Sequence, residues 1–217
     1  MTLLNITNPI QLAEICATII PCIWAGTFKR QLLNAKRHQT FKLFVQKVLK
    51  STQISTSCIL LSLYYIYKLR LAYPSIRASI GSEVRLFTTS LVLANKYLDD
   101  NTFANKTWSQ VSSIPISELN IMEMEFLSAL NFTIHISQTQ FYDWIYKCQQ
   151  WWNLLSSIPT MTSTNTINYQ PQKRNCDFIE EGQKKKFLSI DYYSNVKPIL
   201  SWSSSVSALS SSRYNNT

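Results

Sequence analysis

Apolar residues recur at three-to-four spacing along the chain as far as Leu155, and beyond it the pattern fades. The densest stretch covers residues 82–98. From Leu86 onward its positions are apolar or small on all sides, which predicts a helix surrounded by others rather than one lying on a surface. Ser82 is placed to N-cap this helix, and Glu83 falls in its first turn, where a negative charge suits the helix dipole. Asp99, Asp100 and Asn101 end it with turn chemistry. A polar connection with a short turn of helix follows. Ser117 can cap a second, amphipathic helix, with Leu119, Met122, Phe126, Leu130 and Thr133 at the inward spacing and Glu118, Glu123 and Glu125 elsewhere on the wheel.

The flanking segments extend the same reading. Residues 10–24 predict a helix broken near Pro21 that packs through Leu12, Ile15, Ile19 and Trp24. The run is too short to span a bilayer, and it lacks the positive n-region and cleavage pattern of a signal peptide. Phe41, Phe44, Val45, Val48 and Leu49 share one helical face, opposite Lys42, Gln46, Lys47 and Lys50. Residues 53–56 break that helix. Residues 57–71 form the next, with Ile59, Leu60, Leu63, Ile66 and Leu69 inward; length and leucine spacing outweigh a strand reading of its tyrosine-rich part. Residues 74–81 are a loop. Ser137 can cap a last helix bearing Phe141, Trp144, Ile145, Cys148, Trp152 and Leu155 on one face, a stripe better suited to core packing than to a ligand pocket. From Ser156 onward, Ser, Thr and Asn dominate and disorder is expected, although the apolar residues of 187–200 can fold back onto the domain. The expected division is residues 1–36 as an apolar helix and basic connector, 37–155 as a helical domain, and 156–217 as a basic tail.

Composition narrows the function classes. A chain of 217 residues suits one domain plus tails, and three glycines without hairpin signals argue against an all-β fold. The expected fold class is therefore all-α. Five cysteines without a CxxC pair read as reduced thiols of an intracellular protein, and His38 and His135 are too few for a metal site. The formal charge of +9 is unevenly placed. Residues 15–82 hold no acidic residue, whereas between Asp99 and Asp143 six carboxylates face only Lys106, a polarity that can steer a complementary partner. No nucleophile–base constellation, glycine-rich phosphate loop or metal-ligand cluster is present, so neither catalysis nor a cofactor is expected. Lys173-Arg174 and Lys184-Lys185-Lys186 have the spacing of a bipartite nuclear import signal or of a solvated charge run, and the expected location is nucleus and cytoplasm.

Two charges stand out against this background. Lys96 lies near the end of the buried helix and Glu123 midway along its neighbour. Either Lys96 snorkels to the surface and Glu123 is simply solvated, or the two form a partner-facing pair at one end of the bundle. The surrounding sequence, GSEVRLFTTSLVLANKYLDDNTFANKTW followed by ISELNIMEMEFLSALNF, resembles the cyclin box, and specifically that of the fungal PCL-type, phosphate-regulon cyclins and their Clg-like branch. The similarity runs from about Gln11 to about Trp152. It implies a single-box helical bundle that binds a cyclin-dependent kinase of the phosphate-response type, setting its C-helix and activation segment in the active arrangement while the complex acts on protein substrates.

By the same resemblance, Lys96 and Glu123 match a pair that hydrogen-bonds backbone near the kinase C-helix, and Leu127 and Phe132 match apolar positions packing on that helix. Tyr97 belongs beside them, and Asp99 and Asp100 are expected to face kinase arginines. One departure is the first box helix, FKLFVQKVL, which lacks the MRAIL-like substrate-docking sequence of many cell-cycle cyclins. The alternative is a cyclin-fold transcription scaffold or nucleic-acid-binding protein, supported by the basic N-terminal half but by no interleaved aromatic and basic surface. A membrane partner is not expected.

Overall fold

The computed structural model describes residues 2–26, 35–76 and 81–157. The tail with its expected disorder, the paired basic clusters, the apolar residues 187–200, Cys176 and part of the loop at 74–81 lie outside the described residues. Seven α-helices make up the described part, and it contains no strand: α1 (Pro9–Ala25), α2 (Ala35–Thr52), α3 (Thr56–Ala72), α4 (Ser82–Leu98), α5 (Asn105–Ser112), α6 (Ile116–Ala129) and α7 (Gln138–Ser157). A short 3-10 turn over Leu3–Asn5 precedes them.

Helix α4 is the axis of the bundle. Every residue from Glu83 to Asn95 is buried, as the all-round apolar pattern predicts. Its broadest packing is against α3; α6, α5, α1 and α2 complete the enclosure, and α7 folds back over α1 and α3. The five expected apolar residues of α2 are all buried, and Phe41 meets Phe87 of α4 edge-on at 6.2 Å. The tryptophan stripe of α7 is core, as expected. Trp144 stacks on Tyr67 at 5.1 Å, and its indole N–H donates to the Leu60 carbonyl at 2.8 Å.

Local chemistry sets the helix boundaries, and some differ from the sequence reading. Ser137 caps α7 in a reciprocal box: its hydroxyl accepts from the Gln140 N–H, while the Gln140 side chain accepts from the Ser137 N–H. Ser82 does not cap α4. Gly81 takes that place at φ 83°, a left-handed turn that glycine makes without steric cost, so Ser82 becomes the first helical residue. Pro115 likewise precedes α6, leaving Ser117 inside its first turn. Pro21 does not break α1. It forfeits one backbone hydrogen bond, yet Cys22 and Ile23 beyond it are buried, and the helix ends only at Gly26 with φ 67°. Arg70 braces this corner, lying over the Trp24 ring and donating to the Pro74 and Ile76 carbonyls.

Candidate functional site

The C-terminal turn of α4 is where the buried helix reaches the surface. Asn95, 1% exposed, closes this exit: its amide donates to Asp99 Oδ2 at 2.8 Å and its Oδ1 accepts the Phe103 N–H at 3.0 Å. The chain after α4 is thereby folded back on the helix end. Asp99 braces that loop from within, whereas Asp100 is exposed. Cys58 lies beneath it; burial raises its thiol pKa, and the neighbouring Asp99 adds to the effect.

Lys96 projects from this turn and meets Glu123 of α6, with Nζ 2.6 Å from Oε1. The two side chains are 36% and 14% exposed, so the pair is neither sealed in the bundle nor fully solvated. The other Glu123 oxygen accepts from the Asn105 amide at 2.7 Å, and the same nitrogen donates to Asn120 Oδ1 at 2.8 Å. Three helices thus converge on one carboxylate. An ammonium has three donor hydrogens, and among the described residues Glu123 is the hydrogen-bond partner of Lys96.

The end of α6 supplies the apolar part. Helix α6 stops in a Schellman motif: the Phe132 N–H bonds to the Leu127 carbonyl at 2.8 Å and the Asn131 N–H to the Ser128 carbonyl at 2.9 Å. Asn131 suits its left-handed φ of 51°, but Phe132 at φ 55° is a bulky residue in a costly conformation. The residue is nonetheless 60% exposed. Thr133, expected on the inward face of α6, lies beyond this cap and is exposed. Leu98, Ile116, Ile121 and Met124 are further exposed apolar residues at the α4 exit and along α6. Tyr97 shares a 2.9 Å hydrogen bond with His135 Nδ1.

The opposite end of α4 carries two ion pairs whose α4 members, Glu83 and Arg85, are buried. Arg37 grips Glu83 with two hydrogen bonds of 2.8 and 2.6 Å, and Arg85 pairs with Glu118 of α6. Glu83, expected to serve the helix dipole, is therefore also a partner that fixes α2 against α4.

The structure thus brings Lys96 and Glu123 into contact and sets Tyr97, Asp100, Leu127 and Phe132 on the same two helix ends, while turning Asp99 inward. Sequence reasoning missed Asn105 and Asn120. The available signal was an asparagine opening the short helix of NKTW, one turn of chain away from any pattern that the apolar spacing reports. No group of His, Cys, Asp and Glu among the described residues could hold a metal. An open charge pair, spare donors and exposed apolar side chains suit docking of another protein.

The family model described as Cyclin matches residues 36–134, from the first turn of α2 to just past the Schellman cap of α6. Those residues are similar to a cyclin domain. The chain is similar to Cyclin-U4-1 of Arabidopsis thaliana, 26% identical over 59% of this chain and 66% of that protein. It is also similar to G1/S-specific cyclin pas1 of Schizosaccharomyces pombe (27% identical; 46% of this chain, 25% of that protein) and to PHO85 cyclin CLG1 of Saccharomyces cerevisiae (27% identical; 60% and 33%). In each case the chain spans less than two thirds of the relative's own length. The matched segment carries the whole candidate site: Lys96 through Phe132 all fall within it. No helix among the described residues is long and apolar enough to cross a membrane.

Proposed function

We propose that this chain is the regulatory subunit of a cyclin-dependent protein kinase of the fungal phosphate-response type. The observation that carries the reading is the open Lys96–Glu123 pair, with half-buried Leu127 one turn along α6 and exposed Phe132 beyond its end, in a segment that matches the Cyclin model. The PCL-type resemblance and the relatives named PHO85 cyclin-5 and PHO85 cyclin CLG1 support the choice of kinase class.

In this reading the two charges bond backbone groups beside the kinase C-helix, Leu127, Phe132 and Tyr97 pack on that helix, and Asp100 faces kinase arginines. Asp99 acts through the loop that it braces. Activation is then a matter of position: the C-helix glutamate is held where it pairs with the ATP-anchoring lysine. The complex works in nucleus and cytoplasm.

The test is affinity purification of the full chain, followed by assay of the recovered kinase with and without added chain. A co-purifying kinase that phosphorylates only with the chain present is expected; recovery of no kinase contradicts the proposal. A second reading, a cyclin-fold nucleic-acid-binding protein, draws on the exposed Lys36, Lys47 and Lys50 of α2. Its mark would be specific DNA binding that weakens steeply with salt.

A further inference from the structure

We infer that Asn105 is the positioning residue of the docking face, an inference that rests on the kinase-docking reading of Lys96 and Glu123. Glu123 is largely withdrawn from water, and a carboxylate in that position needs a donor on each oxygen. Lys96 supplies one and the Asn105 amide supplies the other. Asn105 opens α5, and its second amide hydrogen goes to Asn120, one turn of α6 before Glu123. The amide therefore fixes where Glu123 points from a helix that carries neither charge. Glu123 in turn fixes Lys96.

The cost of this arrangement marks its purpose. Asn105 Oδ1 is buried and finds no partner, so the side chain leaves its own acceptor unpaired while committing both donor hydrogens to α6. A residue serving only to start α5 would have no need of that orientation; an Asn or Asp at the cap position would satisfy the helix itself. Asn105 sits one position inside the cap, which is Ala104. Without the amide, the second oxygen of Glu123 turns toward water and the ammonium moves with it, so the outward-facing donors of Lys96 lose their fixed direction.

The experiment uses the full chain as wild type, Asn105→Ala, Asn105→Asp, Lys96→Ala, Glu123→Ala and the Asn105→Ala/Glu123→Ala double variant. Thermal melting first establishes that each is folded. In the free protein, the Lys96 ammonium resonance in a 15N NMR spectrum reports whether the ion pair is held. Asn105→Ala should broaden it through proton exchange, as Glu123→Ala also should, and an unchanged signal would overturn the inference. With a recombinant phosphate-response-type kinase as probe, Asn105→Ala should bind about 10-fold more weakly, the scale of one lost charge-assisted hydrogen bond. The near-isosteric Asn105→Asp should lose more, because it sets a second carboxylate against Glu123.

In the Glu123→Ala background the Asn105→Ala loss should vanish, since the residue acts through that carboxylate. A loss that persists there would mean a merely structural role and overturn the inference. Wild-type affinity in both Lys96→Ala and Glu123→Ala would defeat the docking reading itself. Loss in those two with wild-type affinity in Asn105→Ala would overturn only the role given to Asn105.

Discussion

At the N-terminal turn of α4, the Glu83 and Arg85 side chains are each 7% exposed and pair with Arg37 at 26% and Glu118 at 21%; at the C-terminal turn of the same helix, it is the α4 member, Lys96, that is open at 36%, and its partner Glu123 that is withdrawn at 14%. The chemistry of the pairs is alike and their settings differ. Pairs with a buried member return little net stability over apolar packing, because that charge was stripped of water, but losing its partner strands it. They therefore act as register pins, holding α2 and α6 to α4. The Lys96 end of the other pair lies open to water, which limits what that pair contributes to stability although Glu123 itself is largely buried. The pair's surroundings point instead to a partner: an ammonium with donors to spare, half-buried Leu127 one turn further along α6, and exposed Phe132 beyond the end of that helix.

The largest expected effect is at the enclosed end. Arg85→Ala removes the buried partner of Glu118, which is 21% exposed and can turn toward water, so the cost should be about 2–3 kcal/mol, below that of breaking a fully buried pair. Chemical denaturation measures this, and kinase affinity per folded molecule should stay near wild type. A loss below about 1 kcal/mol would erase the distinction between the two ends.

Next come the adjacent aspartates. Asp99→Ala deprives the buried Asn95 amide of its acceptor and should cost about 1–3 kcal/mol. Asp100→Ala should stay within about 0.5 kcal/mol, while Asp100→Lys should weaken kinase activation with the melting curve unchanged. Equal stability effects at the two positions would mean that the loop is not braced as described.

These two residues also show how much was legible beforehand. Apolar periodicity located the helices and the buried character of α4, because burial on all sides leaves a compositional mark. The conformation of the Asp99 side chain leaves none: Asp99 and Asp100 are the same residue type in sequence, and only the fold-back onto Asn95 separates them. Cap positions were displaced for a similar reason. Ser82 and Ser117 are good caps by residue type, but Gly81 and Pro115 had already set the entry dihedrals. Of the site, the Lys96–Glu123 pairing was foreseen from the resemblance, whereas Asn105 depends on the packing of α5 against α6, which no local pattern encodes.

A smaller effect separates function from stability at Phe132. Replacing it by glycine relieves a left-handed strain of roughly 1 kcal/mol, partly offset by added freedom of the unfolded chain. Phe132→Gly should thus melt at or slightly above wild type yet bind kinase about 10-fold more weakly, the loss of one apolar anchor. A variant that is destabilised and binds normally would place Phe132 in the fold instead of the docking face.

The smallest expected signal is in the thiols. Cys16, Cys22, Cys58 and Cys148 are buried and unbridged, and burial raises all four pKa values, Cys16 to about 12 and Cys22 to about 11 from an ordinary 9.0. In a Cys176→Ser background none should react with a thiol reagent at neutral pH. Because the native thiols keep protons that an unfolded chain releases, stability should fall as pH rises from about 9 toward 12, and should be unaffected by these groups below that window. Ready labelling of Cys58 would show that the open end is open in depth, with the core beneath Asp99 accessible.

The central claim is most directly tested by the Lys96→Ala/Glu123→Ala double variant of the full chain, with melting and affinity for a phosphate-response-type kinase measured on the same preparation. Loss of charged hydrogen bonds worth roughly 1.5–3 kcal/mol each predicts binding weakened by 100-fold or more, with the chain still folded and stability lowered by only about 1–2 kcal/mol, the cost of leaving the Asn105 amide one acceptor short. A folded double variant that binds with wild-type affinity would contradict the account.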